Sequence, residues 1–395
     1  MNFGTGFVHN RNVGNGVTLV EGLFWISVWG VLYPYLGYPV LLWIWGAIAR
    51  RVPHLTREEA PHYPSVTLII PVCNEEKRIE RKIVNTKALR YPADRLEVLF
   101  VSDGSSDHTV ELIRRHAPAQ FVLLELPVRR GKAAALNAGL QQAKHDIVVF
   151  SDASIELESD ALSHIVQGFR DPNIGCISGE DKIPESGGEA WYGRYELLVR
   201  RLESSVHSIV GASGSFYAQR RALCGQFPEG LAPDFLSVLR TVEQGFRAVS
   251  EPAAIGTMTS VKDSRQEFQR KVRTLIRGMT ALFAYARVLN PFRFGMFALE
   301  MLSHKLLRWS VPFFLIAALL SSIMQFDSPW FIFVSSAQVA FYVTALLALW
   351  GWNVVRQSLL GKVALYFSMV NVAILVAWVK YVTGVRQELW TPSQR

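Results

Sequence analysis

Three short runs rich in β-branched residues, each closing on an acidic turn, constrain this chain more than any other feature. Val66-Thr67-Leu68-Ile69-Ile70 leads into Pro71-Val72-Cys73-Asn74-Glu75, Glu97-Val98-Leu99-Phe100-Val101 into Asp103-Gly104-Ser105, and Ile147-Val148-Val149-Phe150 into Asp152-Ala153-Ser154. A longer helical pattern follows each run, which is the signature of βαβ units in an α/β fold with a mostly parallel sheet. In open sheets of this kind ligands bind beyond the carboxyl ends of the strands, so the three acids are expected to converge.

The 395 residues are 50% hydrophobic, and the excess sits in two places. Residues 20–49 carry one charge, Glu21, and end against Arg50 and Arg51; residues 306–379 carry only Arg308, Asp327, Arg356 and Lys362. Both stretches are long enough to cross a hydrocarbon core. The first run is too long and too aromatic for a signal peptide and lacks a small-residue cleavage site, so it reads as a retained anchor. The expected division is an anchor at 1–50, a cytosolic domain at 60–275, an amphipathic interfacial segment at 276–304, two or three spans within 305–380, and a basic tail at 381–395.

The expected spans of the second stretch are 306–324, 330–352 and 363–379. Arg50, Arg51 and Arg57 after the first span, with Lys305 and Arg308 before the second, put the middle domain in the cytosol of a multi-pass inner-membrane protein by the positive-inside rule. Lys362, Lys380, Arg386 and Arg395 fit that rule poorly around the last span, so either the tail lies outside or the segment is re-entrant. The net charge of +8 gathers beside the apolar segments, which points to lipid headgroups rather than nucleic acid. Cys73, Cys176 and Cys224 show no metal spacing and read as reduced structural thiols. Nothing in the sequence sets an oligomeric state.

Within the middle domain, Asn74-Glu75-Glu76 is expected to open a helix, with Asn74 serving either as its cap or as a ligand. Glu75 faces the strand ends. Asp103 precedes a Gly turn and is free to accept from a base or ribose, while Ser106 or Asp107 caps the next helix. Arg129-Arg130-Gly131-Lys132 feeds a small-residue helix whose N-terminus and Lys132 suit an anion, without the spacing of a P-loop. Asp152 and Ser154 stand at i and i+2 of a chain read as extended. A carboxylate there is the expected ligand of a hard cation on a nucleoside diphosphate.

The order of these motifs resembles glycosyltransferase family 2, over residues 66–278. The resemblance implies a Rossmann-like glycosyltransferase-A domain, with transmembrane helices at both ends of this chain, and a sugar taken from a nucleotide diphosphate. It assigns Pro71, Asn74, Glu75, Asp103, Lys132 and Asp152 to the nucleotide and Asp152 to Mg²⁺ or Mn²⁺, although Ser154 replaces the second acid of the D-x-D element. Gly211, Ser213 and Gly214 match the small-residue acceptor loop, and Asp234 stands where the family places its general base; a helix N-cap is the other reading of Asp234. Gln269, Arg270 and Arg273 are similar to the Q-x-x-R-W element of processive synthases, with the arginine one residue late and Thr274 in place of tryptophan. A helix over 189–209 is expected to bury Trp191, Tyr195, Leu198, Leu202 and Ile209.

Together these imply an inverting transferase that moves a sugar from a UDP-sugar to a polyprenyl-diphosphate-linked saccharide in exopolysaccharide or envelope glycan synthesis. A processive polysaccharide synthase and a catalytically inactive nucleotide-sugar-binding scaffold are the rival readings.

Overall fold

The computed structural model describes residues 18–49, 62–182, 188–258 and 264–385. Among the described residues eight strands make one sheet: β1 (Val66–Val72), β2 (Leu96–Asp103), β3 (Val122–Leu126), β4 (Ile147–Ser151), β5 (Ile155–Leu157), β6 (Ile174–Lys182), β7 (Phe216–Arg220) and β8 (Arg247–Met258). Their spatial order is β3-β2-β1-β4-β7-β6-β8-β5. β3, β2, β1 and β4 run parallel, β7 is antiparallel to both its neighbours, β6 and β8 are parallel, and β5 closes antiparallel on β8. Ile69 pairs with Leu99 on one side and Phe150 on the other, so the three acidic turns emerge from one edge.

The central runs are apolar without alternation because both faces of the sheet are covered. Leu68, Ile70, Val98, Phe100 and Val149 face one core with Ile79 and Ile83 of α3 (Ile79–Lys87), Ile113 of α4 (Thr109–His116) and Leu162 of α6 (Ala161–Gln167). Ile69, Leu99, Val101, Val148 and Phe150 face the other core, with α5 (Lys132–Gln142), α8 (Pro233–Glu243) and α9 (Ser264–Ala284).

Among the described residues four stretches are long and apolar enough to cross a membrane: Leu19–Ile48, Pro291–Ile323, Pro329–Leu349 and Leu359–Val382. The first is α1 (Leu19–Leu32) and α2 (Tyr38–Ala49), joined through a π-helical turn, Tyr33–Gly37, where Pro34 removes a backbone donor. The second is α10 (Pro291–Met301), a second π-helical turn, Leu302–Leu307, and α11 (Arg308–Ile323); it therefore starts well before the expected position 306. α12 (Pro329–Leu349), a short α13 (Asn353–Gln357) and α14 (Leu359–Val382) complete the set.

The expected interfacial stretch is split between the end of α9 and α10. Phe297, Ala298 and Met301 are buried, while Phe292 is 100% exposed. α14 is long enough to span, yet Ala373, Ile374 and Ala377 join the core beneath the sheet. Its Tyr366 accepts from Lys271 at 2.9 Å and its Tyr381 ring lies 5.3 Å from Phe283, so it runs alongside α9.

α7 (Gly188–Val206) docks on α2 by Tyr195, Val199, Leu202 and Val206, together with Tyr38 and Leu42. The expected stripe is thus displaced around the helix. Trp191 and Leu198 are more than half exposed, and Ile209 lies beyond the helix end. A polar seam fixes the same joint: Glu203 accepts from Tyr38 Oη at 2.7 Å and meets His304 Nδ1 at 2.5 Å, while His304 Nε2 lies 3.1 Å from Glu196, which also pairs with Arg308. Arg308 and His304 hold the Glu196 carboxyl well below the usual range despite its burial. Cys73, Cys176 and Cys224 are free thiols. Arg50, Arg51, Arg57, Arg386 and Arg395, which carry the charge argument for orientation, lie outside the described residues.

Candidate active site

The acidic turn after β1 is not the start of a helix. α3 begins at Ile79, and Asn74 adopts φ 52°, so it caps nothing. Its Oδ1 instead accepts from Ser106 N at 2.9 Å, clasping the first acidic turn to the second. Asp107 reinforces that clasp, accepting from Glu76 N at 3.1 Å and from Thr109 N at 3.0 Å at the head of α4. Glu75 is buried at 6% exposure, and burial raises its carboxyl above the usual range against the opposing charge of Arg78 at 3.2 Å.

Asp103 is 1% exposed, and both its oxygens are engaged: Oδ1 accepts from Arg130 N at 2.7 Å and Oδ2 from Gly131 N at 2.8 Å. Rather than standing free, it ties down the basic turn ahead of α5. Gly104 is required beside it, because a Cβ at its φ of 58° would strike the backbone of Arg129 and lie 2.6 Å from the Val128 carbonyl carbon. Gly131, with φ 97°, aims the start of α5 so that Lys132 Nζ reaches Asp152 Oδ1 at 2.5 Å and Gly214 O at 2.9 Å.

Asp152 and Ser154 occupy a turn between β4 and β5, not an extended chain. The turn is held from above by Asp152 N donating to Ser215 O at 2.9 Å, and from below by Lys82. Lys82 is 2% exposed and its Nζ donates to Ser151 Oγ and Ile155 O, each at 2.8 Å. Burial lowers this lysine to about 7, against the pull of Asp152 and Glu156.

A cavity of about 320 Å³ opens over these turns. One wall is Pro71, Glu75, Lys132, Asp152 and Ser154; the other is Asp181, Gly214, Asp234, Arg270, Arg273 and Arg277. Asp234 is the second residue of α8, behind Ala232 as cap and Pro233 at the first position, so it is not the helix cap. A side chain at Gly214 would meet Asp234 Oδ2 at 3.5 Å; glycine keeps the carboxylate open to the cavity.

Arg273 is lowered by burial and by neighbouring Arg270, and Arg277 by burial against the pull of Asp234. Guanidinium groups crowded in this way favour an anion between them. Among the described residues no group of three His, Cys, Asp or Glu is set to hold a metal ion. Asp152 and Ser154 offer hard oxygens on one wall, a donor set that fits a divalent cation whose shell is completed by substrate phosphates.

Of the residues expected at the site, the cavity gathers Pro71, Glu75, Lys132, Asp152, Gly214, Asp234, Arg270 and Arg273. Asn74 and Asp103 stand behind it as supports, Gly211 and Ser213 beside it, and Gln269 is exposed and outside its lining. Sequence reasoning missed Asp181 and Lys82 and placed Arg277 in the interfacial segment. Asp181 lies near the end of β6 and accepts from Ser213 Oγ at 2.7 Å. Neither it, after a Gly- and Ser-broken run, nor Lys82, on a helix face, carries the signal that marks the other three acids.

A family model described as "Glycosyl transferase family 2" matches residues 67–224. That stretch, less than half of the chain, is similar to glycosyltransferase family 2. The chain is 27% identical over 243 residues to the poly-β-1,6-N-acetyl-D-glucosamine synthase of Staphylococcus aureus (strain COL), covering 56% of the chain and 58% of the relative. It is 29% identical over 164 residues to the synthase of the same name in Staphylococcus epidermidis, covering 38% and 39% respectively. The chain thus spans little more than half the length of the curated relatives it matches. The solved structure of a mannosyltransferase from Pyrobaculum calidifontis, in complex with GDP-mannose and Mn²⁺, superposes with TM-score 0.67 and 25% identity over 92% of this chain and 99% of that one. The domain has the glycosyltransferase-A fold, and among the described residues four helical stretches are apolar and long enough to cross a membrane.

Proposed function

We propose that this enzyme is an inverting glycosyltransferase that moves a sugar from a UDP-sugar to a lipid-linked saccharide acceptor, polyprenyl diphosphate in type, for exopolysaccharide or envelope glycan assembly. The observation that carries the reading is the division of one cavity into a wall fit for a diphosphate and a wall where Asp181 is bonded to Ser213 and the Asp234 carboxylate lines the cavity. Inversion needs one base on the acceptor's side of the sugar and charge neutralisation on the leaving group's side. Asp234 takes the acceptor hydroxyl's proton as the oxygen attacks the anomeric carbon, Lys132 offsets the charge on the departing diphosphate, and Arg270 and Arg273, on the Asp234 wall, bind the acceptor. Asp152 with Ser154 would hold Mg²⁺ or Mn²⁺, which supplies further neutralisation of the two phosphates.

The catalytic domain faces the cytosol, where nucleotide sugars are made, and the apolar helices seat it on the inner membrane. The flank that α14 presents to α9, at the level of the site, supports a re-entrant last segment over an exposed tail. A second reading, processive polymer synthesis, is favoured by the similarity to the staphylococcal poly-β-1,6-N-acetyl-D-glucosamine synthases. GDP is the alternative donor base, because the Pyrobaculum relative was solved with GDP-mannose.

Purified enzyme incubated with labelled UDP- and GDP-sugars and a bacterial lipid extract separates these readings. One discrete lipid-linked product from a UDP-sugar is expected. A ladder of lengths supports the synthase, a GDP-sugar product changes the donor, and label found only on a soluble glycan removes the lipid acceptor.

A further inference from the structure

Residues 213–215 form the seam where the two walls of the cavity meet. Ser215 O accepts from Asp152 N at 2.9 Å, Gly214 O accepts from Lys132 Nζ at 2.9 Å, and a side chain at Gly214 would meet Asp234 Oδ2 at 3.5 Å. Ser213 Oγ donates to Asp181, 2.7 Å from one carboxylate oxygen and 2.8 Å from the other. Three consecutive residues thus touch the diphosphate side, the base and one further carboxylate that the transfer chemistry does not use.

Asp181 stands in a built setting. It is adjacent in β6 to Glu180, and neighbouring side chains of a strand point to opposite faces. Glu180 is 1% exposed and paired with Arg201 through both oxygens, at 2.7 and 2.6 Å, whereas Asp181 is half-buried and lines the cavity. Ser213 is itself fixed, because its N donates to Ser178 Oγ at 2.8 Å and its Oγ accepts from Ser215 N and Phe216 N, each at 3.1 Å. The Ser213 hydroxyl has one proton to give to a group with about four lone-pair sites, so this contact orients Asp181 without using up its capacity to accept.

In an inverting transfer the anomeric carbon lies between the leaving diphosphate and the hydroxyl that the base deprotonates. Gly214 borders both, so the sugar being moved lies over this residue, where the missing side chain gives it room. Asp181 is held by the residue immediately before it, one Cα step of about 3.8 Å away. We propose that Asp181 determines which donor sugar is taken: its carboxylate accepts from a ring hydroxyl of the sugar being transferred and, by its charge, selects a neutral hexose or N-acetylhexosamine over a hexuronate. This rests on the nucleotide-sugar donor reading and gives it a substrate class.

Calorimetry on the full chain in nanodiscs, without acceptor, compares UDP, UDP-glucuronate and whichever of UDP-glucose, UDP-galactose and UDP-N-acetylglucosamine the wild type binds best. Asp181→Asn keeps an oxygen for Ser213 and removes the charge. It should weaken the neutral UDP-sugar by about 10-fold or more, the loss expected for a charge-assisted contact, with UDP bound as in the wild type and UDP-glucuronate no weaker. Ser213→Ala, which loosens the carboxylate but keeps it, should give a smaller loss of the same pattern. Equal weakening of all three ligands would make Asp181 a support of the loop, and a neutral sugar bound as before would take it off the donor; either result overturns the assignment and leaves the donor reading standing. A wild type that binds UDP-glucuronate best overturns the selection in the same way. If the wild type binds no UDP-sugar, the donor reading falls and this proposal falls with it.

Discussion

The two walls of the cavity are made in different ways. The donor wall comes from turns at the ends of three adjacent parallel strands, so its geometry follows from sheet register and from short local clasps such as Asn74 to Ser106 and Asp103 to Gly131. The acceptor wall draws on β6, α8, α9 and the 211–215 loop, elements far apart in sequence that meet only through packing. The lesson is that a wall set by backbone register can tolerate the loss of one ligand, as at Ser154. A wall set by packing depends on each helix being seated, and α9 is seated in part by α14.

The sharpest test of the contrast is on the acceptor wall. Asp234→Asn removes the base and leaves the helix start unchanged, because Ala232 is the cap. Transfer should fall by about 10² to 10⁴-fold with UDP affinity unchanged; near-normal turnover in a single-turnover assay would mean that the base lies elsewhere.

The next test asks how rigidly the donor turns are held. Lys82 is lowered from 10.5 to about 7, so between those values the unfolded chain binds more protons than the folded one, and raising the pH stabilises the fold. Relative to Lys82→Met, the wild type should gain about 2 to 3 kcal/mol between pH 7 and 9, read from denaturation midpoints of the purified protein. A flat difference across that window would show that the buried amine is solvated when the protein is folded.

Asp103→Asn should cost about 1 to 3 kcal/mol of donor binding, because one of two backbone donors loses its carboxylate partner and the basic turn under Lys132 loosens. The two walls then predict different companions for this loss: calorimetry with UDP should register it, whereas acceptor binding should not. A fall in both would merge the walls into one unit.

The smallest effect is expected at Ser154→Asp. A second carboxylate should tighten Mn²⁺ in the presence of UDP by about 1 kcal/mol, a size set by the added charge at a partly exposed turn. Titration of activity against metal reads it, and an unchanged midpoint would take Ser154 out of the cation's surroundings.

What the sequence determined by itself was the donor side and the class of fold. Uninterrupted β-branched runs can only be strands covered on both faces, and strands of that kind deliver whatever follows them to one edge. Glu75, Lys132 and Asp152 were legible for this reason, and so were the apolar stretches, whose length and lack of charge leave few other uses. Tertiary structure alone decided the rest. Asn74 at positive φ turned from cap to clasp, Asp103 from free acceptor to anchor, and the buried stripe of α7 shifted around the helix, because each outcome depends on a partner outside the residue's own segment. The same holds for Lys82 and Asp181. A helical lysine looks the same in sequence whether it faces water or a buried turn, and only packing between distant segments settles which charges are neutralised and which are left for a ligand.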